Sequence, residues 1–185
     1  IASSKSNLSI NEVKYQKFSN IINQKLLNHM QNTFYNVSYN KNLNKTVTKI
    51  EDINDLRLQM LQEANNNLMK SLKETPDNKV FFLKMPTGGG KTNTSMKLAL
   101  DIISNTTANR IIYSMPFINI IEQNYDTICN NYGLNEDYSQ VRKIYTGTET
   151  IFKNKNDEFK SKIILNDQFF NYPVICTTFV SLFNS

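Results

Sequence analysis

Residues 79–95 read KVFFLKMPTGGGKTNTS, and no other stretch limits the fold as sharply. Val80, Phe81, Phe82 and Leu83 form a short apolar run of the length of a buried parallel strand. Pro86, Thr87 and three glycines follow, then Lys91 and Thr92, then a long run without Gly or Pro. Strand, glycine-rich turn, Lys-Thr and helix make the layout of a phosphate-binding loop. Gly88, Gly89 and Gly90 lack Cβ atoms and reach positive φ, so the backbone can curl with its N–H groups around phosphate oxygens. A helix starting near Gly90 adds its positive end. Lys91 reaches the β- and γ-phosphates, and the Thr92 hydroxyl is the candidate Mg²⁺ ligand. The plain alternative is a turn that only joins strand to helix; the Lys-Thr pair and both flanks favour the phosphate loop.

The 185 residues suit one domain with a sizeable core. Lys and Arg outnumber Asp and Glu by 21 to 16, which permits a nucleic-acid partner and equally describes a solvated basic surface. Two cysteines, Cys129 and Cys176, read as reduced thiols of a cytosolic protein. No apolar run approaches transmembrane length, so no membrane association is expected. The start at Ile1 and the end at Ser185 read as those of a piece of a longer chain.

Residues 11–34 carry Phe18, Ile22, Leu26, Met30 and Phe34 at intervals of four, an amphipathic helix. His29, the single histidine, lies on it without partners for metal or nucleophilic chemistry. Residues 35–49 read as a linker. A second helix starts near Asp52 or Asn54 and runs to about Lys73, with Leu56, Met60, Leu61, Ala64 and Leu68 on its apolar side. After the loop come a helix over 91–104, a strand over 110–114, a helix over 117–130 and a strand over 141–145. An ambiguous stretch over 159–170, a strand over 174–178 and a helix from Phe179 complete the chain. The fold class is therefore α/β, a mostly parallel sheet flanked by helices, with an N-terminal helical segment over 1–50 and the main unit over 51–185.

Ligands of open α/β sheets gather at the carboxyl ends of the strands. Four such ends are legible: Met85 to Thr92, Met115 to Phe117, Thr146 to Thr148, and Thr177 with Thr178. The first suits phosphate. The others offer hydroxyls, a glycine and backbone amides that suit a nucleic-acid backbone. Taken singly, Ser and Thr at such places are commonly helix caps.

PTGGGKT, RIIYSMPFINIIEQN, IYTGTET and VICTTFVSLFNS, in this order, resemble successive motifs of the first RecA-like domain of a superfamily 2 helicase. PFINIIEQ, with Pro116, Phe117 and Gln123, is similar to that family's strand-contacting motif. Thr146 with Gly147, and Thr177 with Thr178, match two further backbone-contacting motifs. Within the superfamily the chain most resembles the CRISPR-associated helicase-nuclease of type I systems, and INDLRLQM resembles the segment leading into its loop strand. That resemblance implies ATP and Mg²⁺ as cofactors, held by Pro86, Thr87, Gly88, Gly89, Gly90, Lys91, Thr92 and Asn93, with Arg57 near the base. It implies single-stranded DNA and a Cascade-type surveillance complex as partners, and an antiviral helicase with an HD nuclease in the parent protein. The nuclease cannot be built from His29 alone. Asp167 ends an apolar run, as the family's Mg²⁺-binding Asp does. It lacks the neighbouring Glu and precedes the Thr-Thr strand, so it is not expected to fill that role.

The resulting expectation is an incomplete first motor domain that binds nucleotide phosphates weakly and hydrolyses little ATP alone. Lys91 and Thr92 would carry its chemistry. Alternatives are another superfamily 2 motor, such as an RNA helicase or a restriction translocase, and a nucleotide-binding adaptor without motor action. A small-molecule P-loop kinase leaves the three later strand ends without a task.

Overall fold

A computed structural model describes residues 20–37, 40–43, 45–134, 140–145 and 157–183. Among them run α1 (Gln24–Asn36), a 3-10 turn (Asn40–Asn42), α2 (Ile53–Glu74), α3 (Lys91–Asn105), β1 (Ile111–Met115), α4 (Ile118–Tyr132), β2 (Val141–Ile144), α5 (Asp157–Gln168), β3 (Val174–Thr178) and α6 (Phe179–Phe183). The strands form one parallel sheet in the order β1-β3-β2. Because β3 is central, all five of its residues are buried. Val174 and Cys176 face the main core, while Ile175 joins Ile144 and Tyr172 in a smaller cluster.

The main core draws on α1, α2, α3 and α4. Met30 and Phe34 of α1, Leu61 of α2, Met96 and Leu100 of α3, and Ile121, Ile128 and Tyr132 of α4 are almost completely enclosed there. Tyr132 donates to the Met96 carbonyl at 2.9 Å, which leaves its oxygen to accept from Tyr113 Oη at 2.8 Å. Burial raises the pKa of both phenols, so they stay neutral donors. Burial also pushes the Cys176 thiol up to about 12; both cysteines are free and buried. Lys97, buried in α3, is neutralised by Asp101 at 2.6 Å and lies 5.7 Å from the centre of the Tyr35 ring.

Caps account for several boundaries. Asn23 accepts from the Leu26 amide, so α1 begins at Gln24; the expected stretch up to residue 19, with Phe18, lies outside the described residues. Ile22 is buried beside this start, not within the helix, and its amide donates to Asn109 O at 2.8 Å. Asp52 accepts from the Asn54 and Asp55 amides at the head of α2. That helix buries Leu58, Leu61 and Leu68 and leaves Leu56, Met60 and Ala64 half-buried, so its inner face is the expected one widened to take in Leu58. Gly133 ends α4 at φ +63°, where a Cβ would come within 2.6 Å of Thr33 Oγ1. His29 Nε2 is hydrogen-bonded to the Gly133 carbonyl at 2.8 Å, which gives the single histidine a packing role. The ambiguous stretch over 159–170 is mostly helix, α5.

One expected element is absent. Residues 80–83 are not a strand: the segment 78–86 pairs with none of β1, β2 and β3. Val80 is 63% and Phe82 86% exposed. An apolar run has the composition of a strand, but the ladder needs a neighbour within hydrogen-bonding distance, and no described strand supplies one. The segment instead lies along α2 and α3, over a groove of about 540 Å³ that Met60, Ala64, Phe81, Leu98 and Ile102 help to line. No helix among the described residues is long and apolar enough to cross a membrane.

Ile121→Ala should lower stability by about 3 kcal/mol in urea titrations, the usual loss for a fully enclosed aliphatic side chain. Phe82→Ser should change it by less than about 0.5 kcal/mol. A comparable loss at both positions would mean that residues 80–83 are buried in a paired strand.

Candidate nucleotide site and the strand-end edge

The loop after residue 85 is shaped by its glycines. Gly88 and Gly90 sit at φ +76° and +84°, and the Gly89 amide closes the turn on Pro86 O at 3.1 Å. Gly89 is buried; a Cβ there would lie 3.0 Å from Pro86 O and 3.3 Å from Met60 Cε. The chain then enters α3 at Lys91 with Gly90 as N-cap and no side chain capping it. The first ladder bond is Thr94 N to Gly90 O, so the amides of Lys91, Thr92 and Asn93 have no acceptor within the helix. Those amides and the helix dipole give the turn a positive potential.

Lys91 Nζ crosses back over the loop and donates to Met85 O at 2.8 Å and Pro86 O at 3.0 Å. Its charge is thereby held above the turn, on an exposed side chain. Arg57, on the second turn of α2, donates from Nε to Gly88 O at 2.8 Å and from a terminal nitrogen to Asn54 Oδ1 at 3.1 Å. Thr87 is exposed at the rim. Asn93 points away from the loop and accepts from Asn131 Nδ2 at 2.9 Å. Thr92 Oγ1 donates to Asn124 Oδ1 at 3.2 Å, keeping its lone pairs for another partner. These groups fit a polyphosphate with a divalent cation: amides and an ammonium for the anion, a hydroxyl oxygen for the cation. Among the described residues no group of three or more His, Cys, Asp or Glu could hold a metal alone, so any cation here would take most of its ligands from phosphate and water.

The strand ends meet along one edge. In the parallel register Met115 lies beside Thr178, and Ile144 beside Thr177. Pro116 and Phe117 follow β1, and Phe117 is 69% exposed. Gln123 is exposed on the next helix, α4. Thr146 and Gly147 lie outside the described residues. Thr177 is fully buried and its hydroxyl donates to Ile144 O at 2.6 Å, so this position has no side chain to offer a ligand. Thr178 Oγ1 accepts from the Ser181 amide at 3.1 Å and caps α6.

Two contacts, one near this edge and one toward the amino ends of β2 and β3, were not legible in the sequence. Glu122 of α4 takes a hydrogen bond from Lys143 Nζ at 2.7 Å and another from Tyr145 Oη, pinning α4 to the end of β2. These bonds hold the Glu122 carboxyl below its ordinary pKa. Partial burial, with the Glu122 bond, pushes Tyr145 up to about 12. The second is Asp167, which takes Arg142 Nε at 2.9 Å, Arg142 Nη2 at 2.7 Å and Tyr172 Oη at 2.8 Å. It neutralises a buried guanidinium.

Asp167→Ala should therefore cost about 3 kcal/mol of stability by leaving the Arg142 charge buried without its carboxylate. It should not alter Mg²⁺-dependent nucleotide binding, which titration of the folded variant would check. Glu122 is a depressed carboxyl, so its contribution is present above the ordinary glutamate pKa and is lost as pH falls through the lower folded value. In thermal melts, the difference between wild type and Glu122→Gln should hold from neutral pH down to that range and shrink below it. A difference that grew on acidification would contradict this ion pair.

No curated protein matches the chain. Residues 45–171 match the family described as type III restriction enzyme, res subunit. This match takes in α2, the glycine loop, α3, β1, α4, β2 and α5, and it carries the RecA-like α/β architecture of a helicase domain. The chain belongs to this family of superfamily 2 helicase-like, ATP-dependent motor domains.

Proposed function

We propose that this chain is the nucleotide-binding half of a motor that moves along DNA, with ATP and Mg²⁺ at the glycine loop and a single strand on the strand-end edge. The observation that carries the reading is the uncapped start of α3, with Lys91 Nζ held over the loop carbonyls. The amides of residues 88–92 and the Lys91 ammonium would hold the β- and γ-phosphates. Thr92 Oγ1 would serve as the Mg²⁺ ligand, and Arg57, bound to Gly88 O, would flank the base. Pro86, Thr87, Gly89 and Asn93 set the loop's shape. Bound ATP supplies, through cleavage of its terminal phosphoanhydride, the free energy for stepping. Pro116, Phe117 and Gln123 would meet the DNA backbone together with Thr146, Gly147 and the Thr177–Thr178 backbone. An arginine finger from a second domain contributes on the order of 10³ to 10⁵ in rate, so the chain alone should bind nucleotide and turn over little.

The motif order supports a finer identity, the CRISPR-associated helicase-nuclease of type I systems, acting with a Cascade-type complex in antiviral defence. The family match favours a second reading, a restriction translocase. The full-length protein separates them. ATP-dependent cutting of the displaced strand of an RNA-guided R-loop supports the first, and ATP-dependent cleavage of plain duplex carrying recognition sites supports the second.

For the shared part of the proposal, Lys91→Ala should weaken binding of a fluorescent ATP analogue with Mg²⁺ by at least about tenfold, the scale of one charge-assisted hydrogen bond. Equal binding by wild type and Lys91→Ala would overturn it.

A further inference from the structure

Asn124 stands between the nucleotide loop and the strand-end edge. Its Nδ2 donates to Ile120 O at 2.8 Å, which fixes the orientation of the amide and turns Oδ1 outward. That oxygen accepts from Thr92 Oγ1 at 3.2 Å. Two turns further along α4 the fastening is extended by Asn131 Nδ2. This group donates to Asn93 Oδ1 at 2.9 Å and also faces Met96 Sδ at 3.7 Å. Asn124 and Asn131 are seven residues apart, so they share one face of α4 and grip two consecutive residues at the start of α3. The residue before Asn124 is Gln123, exposed to solvent, and the helix follows directly on Pro116 and Phe117. One helix thus binds the loop's hydroxyl on its inner side and carries the candidate DNA contacts at its start and outer side.

A hydroxyl has one proton and two acceptor lone pairs. With the proton directed to Asn124, the lone pairs of Thr92 are set for a cation. A hydroxyl that also ligates a cation is more acidic and donates a stronger hydrogen bond. The Thr92–Asn124 bond therefore tightens when the loop is loaded, and the tightening acts on α4.

We infer that Asn124 is a positioning residue that sets the Thr92 hydroxyl and couples the nucleotide site to the DNA-facing edge through α4. The inference rests on the functional reading above and adds to it a specific link. Coupling of this kind is reciprocal: DNA on the edge raises the affinity for ATP–Mg²⁺ by the same factor as ATP–Mg²⁺ raises the affinity for DNA.

The test titrates the chain with a fluorescent ATP analogue, with and without Mg²⁺ and with and without an oligothymidine strand. Wild type should show an affinity gain of about fivefold or more from the strand, the low end of allosteric couplings. Asn124→Leu should lose that gain and the Mg²⁺ dependence while keeping its Mg²⁺-free nucleotide affinity. Asn124→Gln, which retains both an amide donor and an acceptor for Thr92, should restore both at least in part, a rescue that a merely structural role would not give. If Asn124→Leu fails to fold, Asn124→Ala takes its place with the same readout. Retained coupling in the folded Leu or Ala variant, no coupling in wild type, or no rescue by Gln overturns the inference. Lys91→Ala in the same assay separates the two levels. Binding that ignores Lys91 overturns the functional reading itself, whereas binding that needs Lys91 but ignores Asn124 overturns only the link.

Discussion

Everything at the candidate site depends on a reversal of the backbone that only glycine makes cheaply. Gly88 and Gly90 hold positive φ on either side of a Gly89 where a Cβ would press on Pro86 O at 3.0 Å. The reversal lets α3 begin with no capping side chain, so its first amides stay directed at the loop. What keeps that turn in place is the middle of the same helix. Met96 and Leu100 are enclosed by α1, α2 and α4, and the Tyr113–Tyr132–Met96 chain of hydrogen bonds ties α3 to the sheet. A polar loop is thus held rigid by an apolar core one to two turns away, the arrangement a binding site needs if it is to be preorganised.

The second organising element is α4. It starts where β1 ends, closes on α1 through Gly133 and His29, reaches β2 through Glu122, and holds the start of α3 through Asn124 and Asn131. The phosphate loop and the strand-end edge are consequently two sides of one packed unit. Thr177 illustrates the same economy. Its place at the edge is set by the sheet register, while its hydroxyl works inside the sheet on Ile144 O.

Much of this was readable from residues alone because it is local. The Lys-Thr pair after three glycines announced the loop and α3, β-branched runs announced β1, β2 and β3, and the Pro116 break placed the start of α4 within two residues. What escaped the reading is non-local. The apolar residues 80–83 have the composition of a strand, but pairing depends on a neighbour that local sequence does not specify. Abundant Asn hid the one that caps α1, and also Asn124, whose importance depends on Thr92 lying opposite it. Asp167 was not expected to bind Mg²⁺, but its actual partner, Arg142, lies 25 residues away in sequence and was not legible there.

The most direct measurement is a crystal structure of the chain with a non-hydrolysable ATP analogue and Mg²⁺. The account predicts the β- and γ-phosphates within hydrogen-bonding distance of the amides of residues 88–92. It also predicts that Lys91 Nζ has moved from Met85 O and Pro86 O onto phosphate oxygen, with Thr92 Oγ1 ligating the metal and still bonded to Asn124. A nucleotide bound away from residues 86–92, with Lys91 still on those two carbonyls, would contradict it.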